Sequence, residues 1–134
     1  MKDLTLHHRR PVSLSGSNAP YNLSYVDRFK HYAWHDLVAN QSPPQIAMTL
    51  NRIFPDHIFT AVPNADFRAK HIRIASGGGT RNKNKIAKAI DTLWGKKTMT
   101  QIIENINSVW LDPDWSMQAF KKRKQVPKHQ RPYS

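Results

Sequence analysis

The sequence predicts an all-α protein made of two small three-helix units in tandem. Three observations carry that expectation. Apolar residues recur at helical spacing in several short segments, two of those segments open on the same capping pattern, and a shift of 56 residues lays one upon the other.

Taken in order, residues 1–24 predict a flexible arm, because Pro11, Ser13, Ser15, Gly16, Ser17, Asn18 and Pro20 crowd a stretch without period. Tyr25, Phe29, Ala33 and Leu37, joined by Tyr32, then recur one turn apart and predict a first helix that stops near Asn40. Ser42-Pro43-Pro44-Gln45 opens the second. Ser42 suits the cap, proline loses nothing at a first helical position, and Gln45 completes a capping box. Ile46, Leu50 and Ile53 follow on one face, and Pro55 ends the helix. After a loop over Asp56–Val62, Pro63 is expected to start a third helix through Ile74, with Phe67, His71 and Ile74 on one side. These helices make a unit over 25–76. Gly77-Gly78-Gly79 breaks any helix, and 77–83 reads as a linker.

The second unit, 84–126, repeats the plan. Ile86, Ala89, Ile90 and Leu93 form a stripe that Gly95 stops. Thr98-Met99-Thr100-Gln101 is another capping box, followed by Ile102, Ile106 and Val109. Asp112-Pro113-Asp114 is expected to cap a last helix over 113–124, with Trp115, Ala119 and Phe120 on its apolar side, and 127–134 is left as a tail. Under the 56-residue shift, five of 24 positions in 31–54 and 87–110 are identical: Ala33, Leu37, Gln45, Ile46 and Asn51 fall on Ala89, Leu93, Gln101, Ile102 and Asn107.

Charge points to the partner class. Twenty-one Lys and Arg stand against nine Asp and Glu, a net +12, which is the footprint of a protein that meets a polyanion. Residues 1–24 and 25–76 carry +2 each, whereas 77–134 carries twelve basic and four acidic groups, +8. No apolar run approaches the ~18 residues of a membrane span, and 1–24 lacks the apolar core of a secretory signal. The absence of cysteine excludes disulfide scaffolds and thiolate metal sites, and fits a reducing, cytoplasmic, nucleoid-associated setting.

Three short helices with a tight turn between the first two is the plan of helix-turn-helix DNA binders. On the stretches WHDLVANQSPPQIAMTLN and IDTLWGKKTMTQIIENIN, the chain resembles tandem helix-turn-helix proteins of the SANT/Myb type and small bacterial or phage regulators. It departs from the Myb-type pattern of regularly spaced tryptophans, since Trp34 has Ile90 as its counterpart. The resemblance spans 25–126 and implies a non-enzymatic, double-stranded DNA-binding protein, a transcriptional regulator or mobile-element accessory factor. RNA binding, or inhibition of an acidic protein partner, are the alternatives, and a homodimer is compatible with either.

In this reading the third helix of each unit carries donors to the major groove: Arg68, Lys70 and Arg73 in the first, Gln118, Lys121 and Lys122 in the second. Arg81, Lys83, Lys85, Arg123 and Lys124 hold phosphates, and Arg9 and Arg10 on the arm enter a minor groove. No catalytic group, metal or cofactor is expected. His31 and His35 have a metal-compatible i, i+4 spacing but no third ligand at a motif-like position, and His7-His8 belongs to the arm. The four tryptophans and Phe120 are core candidates.

Overall fold

The computed structural model describes residues 3–66 and 79–122. Strand β1 (Leu4–His8) pairs antiparallel with β2 (Leu23–Asp27), and two short 3-10 turns, Val12–Leu14 and Pro20–Asn22, lie between them. Helices α1 (Arg28–Val38) and α2 (Pro43–Ile53) follow, then β3 (His57–Pro63). After the segment outside the described residues come α3 (Lys83–Leu93), α4 (Met99–Asn105) with a π-helical turn over Ile106–Trp110, and β4 (Trp115–Lys121). Strands β3 and β4 form a second antiparallel ribbon. The fold is therefore mixed α/β, and the all-α expectation of two helix-turn-helix-like units is corrected.

The corrections have local causes. The expected helix 113–124 is strand β4, because Trp115 and Met117 alternate with Ser116 and Gln118, and burial of Trp115 and Met117 on one face outweighs the helix-start signal. Asp112 uses its Oδ1 to accept from Asp114 N at 2.9 Å, so Asp112-Pro113-Asp114 makes a turn that leads into a strand. The expected loop at 56–62 is mostly β3, whose Ile58, Thr60 and Val62 are β-branched residues suited to a pleated ribbon. Of the helix expected from Pro63 through Ile74, Pro63 ends β3, and residues 67–74 lie outside the described residues. Within the expected arm, Leu4–His8 is a strand, and its His7 is buried.

The two helices that open on capping boxes start where the sequence places them, and the first helix starts at Arg28 rather than near Tyr25. Asp27 caps α1, its carboxylate accepting from Phe29 N and Lys30 N. Ser42 donates both its amide and its hydroxyl to Gln45 Oε1, while Thr98 N donates to Gln101 Oε1 and Gln101 N to Thr98 Oγ1. Gly95 sits at φ +55 just beyond α3, a conformation that a side chain disfavours. Helix α1 turns Ala33, Trp34, Leu37 and Val38 into the core; Tyr25, Phe29 and Tyr32, expected on its inner face, are exposed. Tyr25 belongs instead to β2, where it pairs with Leu6.

The 56-residue shift has a counterpart in space. Helix α1 packs on α3, and β3 pairs with β4, so equivalent elements meet each other. The ribbon is centred on the pair Thr60–Gln118. Asn51 on α2 accepts from Phe59 N at 2.5 Å and donates to Phe59 O at 3.2 Å. Asn107 does the same to Met117, at 2.6 and 3.1 Å. Both contacts lie on the strand edge that faces away from the ribbon partner, so each asparagine supplies the hydrogen bonds that a missing third strand would have made. One core cluster runs from Val26 to Met117 and joins both halves. Trp34 stacks on Trp110 with ring centres 5.2 Å apart, and the indole N–H groups of Trp94 and Trp110 both donate to Asn105 Oδ1. All four tryptophans are buried, as expected, whereas Phe120 is exposed.

The chain also comes close to itself at Gly79. A Cβ there would lie 2.2 Å from the carbonyl oxygens of Asp36 and Leu37, and Thr80 N donates to Asp36 O at 2.6 Å. The last glycine of the expected linker is thus packed against the end of α1.

Replacing Asn107 by alanine removes two hydrogen bonds from the backbone of fully buried Met117. The expected loss is about 2–3 kcal/mol of unfolding free energy, with Asn51→Ala giving a similar loss at β3. Urea unfolding followed by tryptophan fluorescence measures it; a change below about 0.5 kcal/mol in both variants would show that the clamps are dispensable.

Candidate functional site

Asn82 caps α3 by accepting from Asn84 N and Lys85 N, and the helix that follows starts Lys83-Asn84-Lys85. No acidic residue lies in its first turn. Arg81, Lys83, Lys85 and Lys88 are all exposed, and among the described residues none of them forms an ion pair. Positive side chains at the positive end of a helix oppose its dipole at about 0.3–1 kcal/mol each, an arrangement that an anion relieves. Beside this end lies a groove of about 540 Å³. Its floor is apolar, with Ile53 from α2 and Ile86 and Ile90 from α3, and Arg52, Arg81 and Lys83 supply its charged lining.

The other expected contact residues are placed differently. Gln118, Lys121 and Lys122 are exposed, on β4 and just past it, so they sit on a strand rather than on a recognition helix. Arg68, Lys70, Arg73, Arg123 and Lys124 lie outside the described residues. Arg9 and Arg10, expected to enter a minor groove, hold the protein's own turns. Arg9 donates from Nε to Leu111 O at 2.9 Å, from Nη1 to Tyr21 O at 3.3 Å, and from Nη2 to Asn107 O. Two of those carbonyls belong to the end of the π-helical turn, where a cation meets the negative pole. Arg10 pairs through Nε with Asp112 Oδ2 at 2.5 Å and through Nη2 with Asp114 at 3.4 Å. Arg81, Lys83, Lys85 and Lys88 thus stand exposed at and after the start of α3, Arg81 and Lys83 share the lining of one groove, and the two arm arginines turn inward.

A second constellation was only partly legible in the sequence. His31 and His35 stand one turn apart on α1, and β1 lays His7 against them. One ligating atom from each lies within 4.8 Å of the others, and His31 Nε2 and His35 Nε2 are 3.1 Å apart. His7 Nε2 meets Trp110 O at 3.0 Å, and His31 Nδ1 meets Thr5 Oγ1 at 2.9 Å. A cavity of about 240 Å³ adjoins all three rings. Burial pushes His7 down to about 4, opposed by its bond to the Trp110 carbonyl and assisted by the neighbouring histidines. Burial also lowers His31 and His35; His35 adds to the lowering of His31, and Asp36 opposes that of His35. The three imidazoles are neutral near pH 7. The visible signal was the i, i+4 pair; the third member depends on the β1–β2 register, which sets His7 opposite Ser24.

Among the described residues no helix is long and apolar enough to cross a membrane. Comparison with protein-family models, with curated proteins and with solved structures finds no match.

The buried histidines make stability depend on pH. His7 titrates at about 4 in the fold and near 6.5 when unfolded, so the unfolded chain holds the extra proton between these values. The stability it contributes is complete above about pH 6.5 and is lost as pH falls toward about 4. The expected loss from His7 is about 2–3 kcal/mol between pH 7 and 4.5, with His31 and His35 adding in the same direction. Urea titrations at the two pH values in a chelating buffer measure this. Equal midpoints would mean that the histidines are not held neutral.

Proposed function

We propose that the protein binds nucleic acid through its phosphate backbone, in a cytoplasmic, nucleoid-associated setting, with the N-terminal end of α3 as the anchor. One observation carries the reading: Arg81, Lys83 and Lys85 stand exposed at the positive pole of α3 and Lys88 further along it, with Arg52 lining the adjoining groove and no acid in the first turn. Phosphates are the anions that such an array of cations at a helix start attracts. The +12 net charge adds long-range attraction to any polyanion.

The mode is backbone contact rather than base reading by paired recognition helices, since the second of those helices is strand β4. Exposed Lys121 and Lys122 extend the basic surface in sequence, and Arg9 and Arg10 serve the fold. No catalytic role enters this reading.

Five cations that each neutralise one phosphate should give a slope of about −4.5 for log K against log salt, at about 0.9 per contact. Lys83→Gln combined with Lys85→Gln is expected to weaken binding about tenfold on every duplex tested and to flatten the slope by about 2. Fluorescence anisotropy on labelled DNA and RNA duplexes at several salt concentrations measures both. Unchanged affinity in the double variant would overturn the role of α3, and a salt-independent affinity would overturn backbone binding altogether.

A further inference from the structure

We propose that His7, His31 and His35 form a three-histidine site for a divalent transition metal of the zinc class, with its fourth coordination position open to the adjoining cavity. Three observations of different kinds support it, and none depends on the nucleic-acid reading.

The first is distance. Zinc–nitrogen bonds of about 2.0–2.1 Å at tetrahedral angles place two ligand nitrogens about 3.3–3.4 Å apart. His31 Nε2 and His35 Nε2 are 3.1 Å apart, and all three ligating atoms fall within 4.8 Å, so a small inward movement of the rings completes the set.

The second is tautomer control. Trp110 O is an acceptor only, so His7 Nε2 carries the proton and donates to it, leaving the Nδ1 lone pair. Thr5 Oγ1 donates to Val26 O, so its lone pair accepts from His31 Nδ1–H and leaves the Nε2 lone pair free. Metal-bound histidines are held in this way, each giving its second nitrogen to a carbonyl, carboxylate or hydroxyl. A plain hydrogen bond between the two Nε2 atoms would account for His31 and His35. It would not account for His7, 4% exposed, which lies edge-on to both rings and lines the same cavity.

The third is the donor type. Three neutral imidazoles suit zinc, copper or nickel and leave the ion its full double charge. Three protein ligands leave one position for water or a small anion. The ion would join β1 to α1 and so tie the N-terminal hairpin to the helical core.

The test uses the full chain and metal salts alone. Calorimetric titration with Zn²⁺ at pH 7.5 should give one saturable site, and the thermal midpoint should rise with metal. Co²⁺ should produce the intense visible absorption of a four-coordinate ion. His35→Gln and His31→Gln, both at half-buried positions, should lower Zn²⁺ affinity at least tenfold and abolish that absorption, while His57→Gln on β3 leaves both intact. Far-UV circular dichroism reports whether the variants fold. Absence of a saturable Zn²⁺ site in the wild-type chain, a weak six-coordinate Co²⁺ spectrum, or unchanged affinity in a folded His35→Gln variant would each overturn the site.

Discussion

The structure depends on a two-stranded ribbon whose outer edges are closed by side chains. A ribbon of β3 and β4 alone would leave two rows of backbone N–H and C=O groups unpaired, and such groups are costly once buried. Asn51 and Asn107 meet that constraint by presenting a carbonyl and an amide to one residue on each strand. Each asparagine lies near the C-terminal end of a helical segment that starts at a capping box, so the start of the helix sets where the amide reaches the strand. The ribbon in turn holds Phe59 and Met117 in the core. Because equivalent elements pair with each other, neither half contains a complete sheet or a complete core.

The N-terminal hairpin depends on the same frame. Its charged and aromatic groups are spent on the region after α4: Arg9 on the carbonyls that end the π-helical turn, Arg10 on Asp112, and His7 on Trp110 O. Ser24 adds a bond to Val109 O. A widened last turn leaves backbone carbonyls without helical partners, and a segment rich in arginine and histidine supplies donors for them. Two of the residues that contribute to the chain's basic character are therefore structural. The cations at the start of α3 have no such internal partner among the described residues, and net charge alone does not distinguish the two cases.

Local signals were legible where they were dense. Ser42/Gln45, Thr98/Gln101 and Gly95 mark helix boundaries within a residue or two of where they occur, because capping is decided by atoms only three or four positions apart. The shift that aligns Asn51 with Asn107 was visible too, although nothing in it told what the asparagines hold. The two strands were not legible. His57–Pro63 and Trp115–Lys121 are short, Asp112-Pro113-Asp114 imitates a helix start, and each strand is stable only because the other pairs with it. Similarly, Phe29 and Tyr32 follow a helical period yet face outward, since packing of α1 on α3 selects the stripe of Ala33, Trp34, Leu37 and Val38.

By itself, the sequence determined the two capping-box helix starts, the tryptophans as core residues, the charge excess and its position, and a histidine pair at ligand spacing. These rest on neighbours within a turn or on composition, which a short window of sequence already contains. Only the tertiary structure decided that the fold is α/β, that Arg9 and Arg10 turn inward, and that His7 joins His31 and His35. Each of those outcomes rests on partners far apart along the chain, 24 residues for the His7–His31 contact and 104 for the Arg10–Asp114 pair. Long-range contacts of this kind are set by which surfaces the whole chain can bury at once, a quantity that no local window contains.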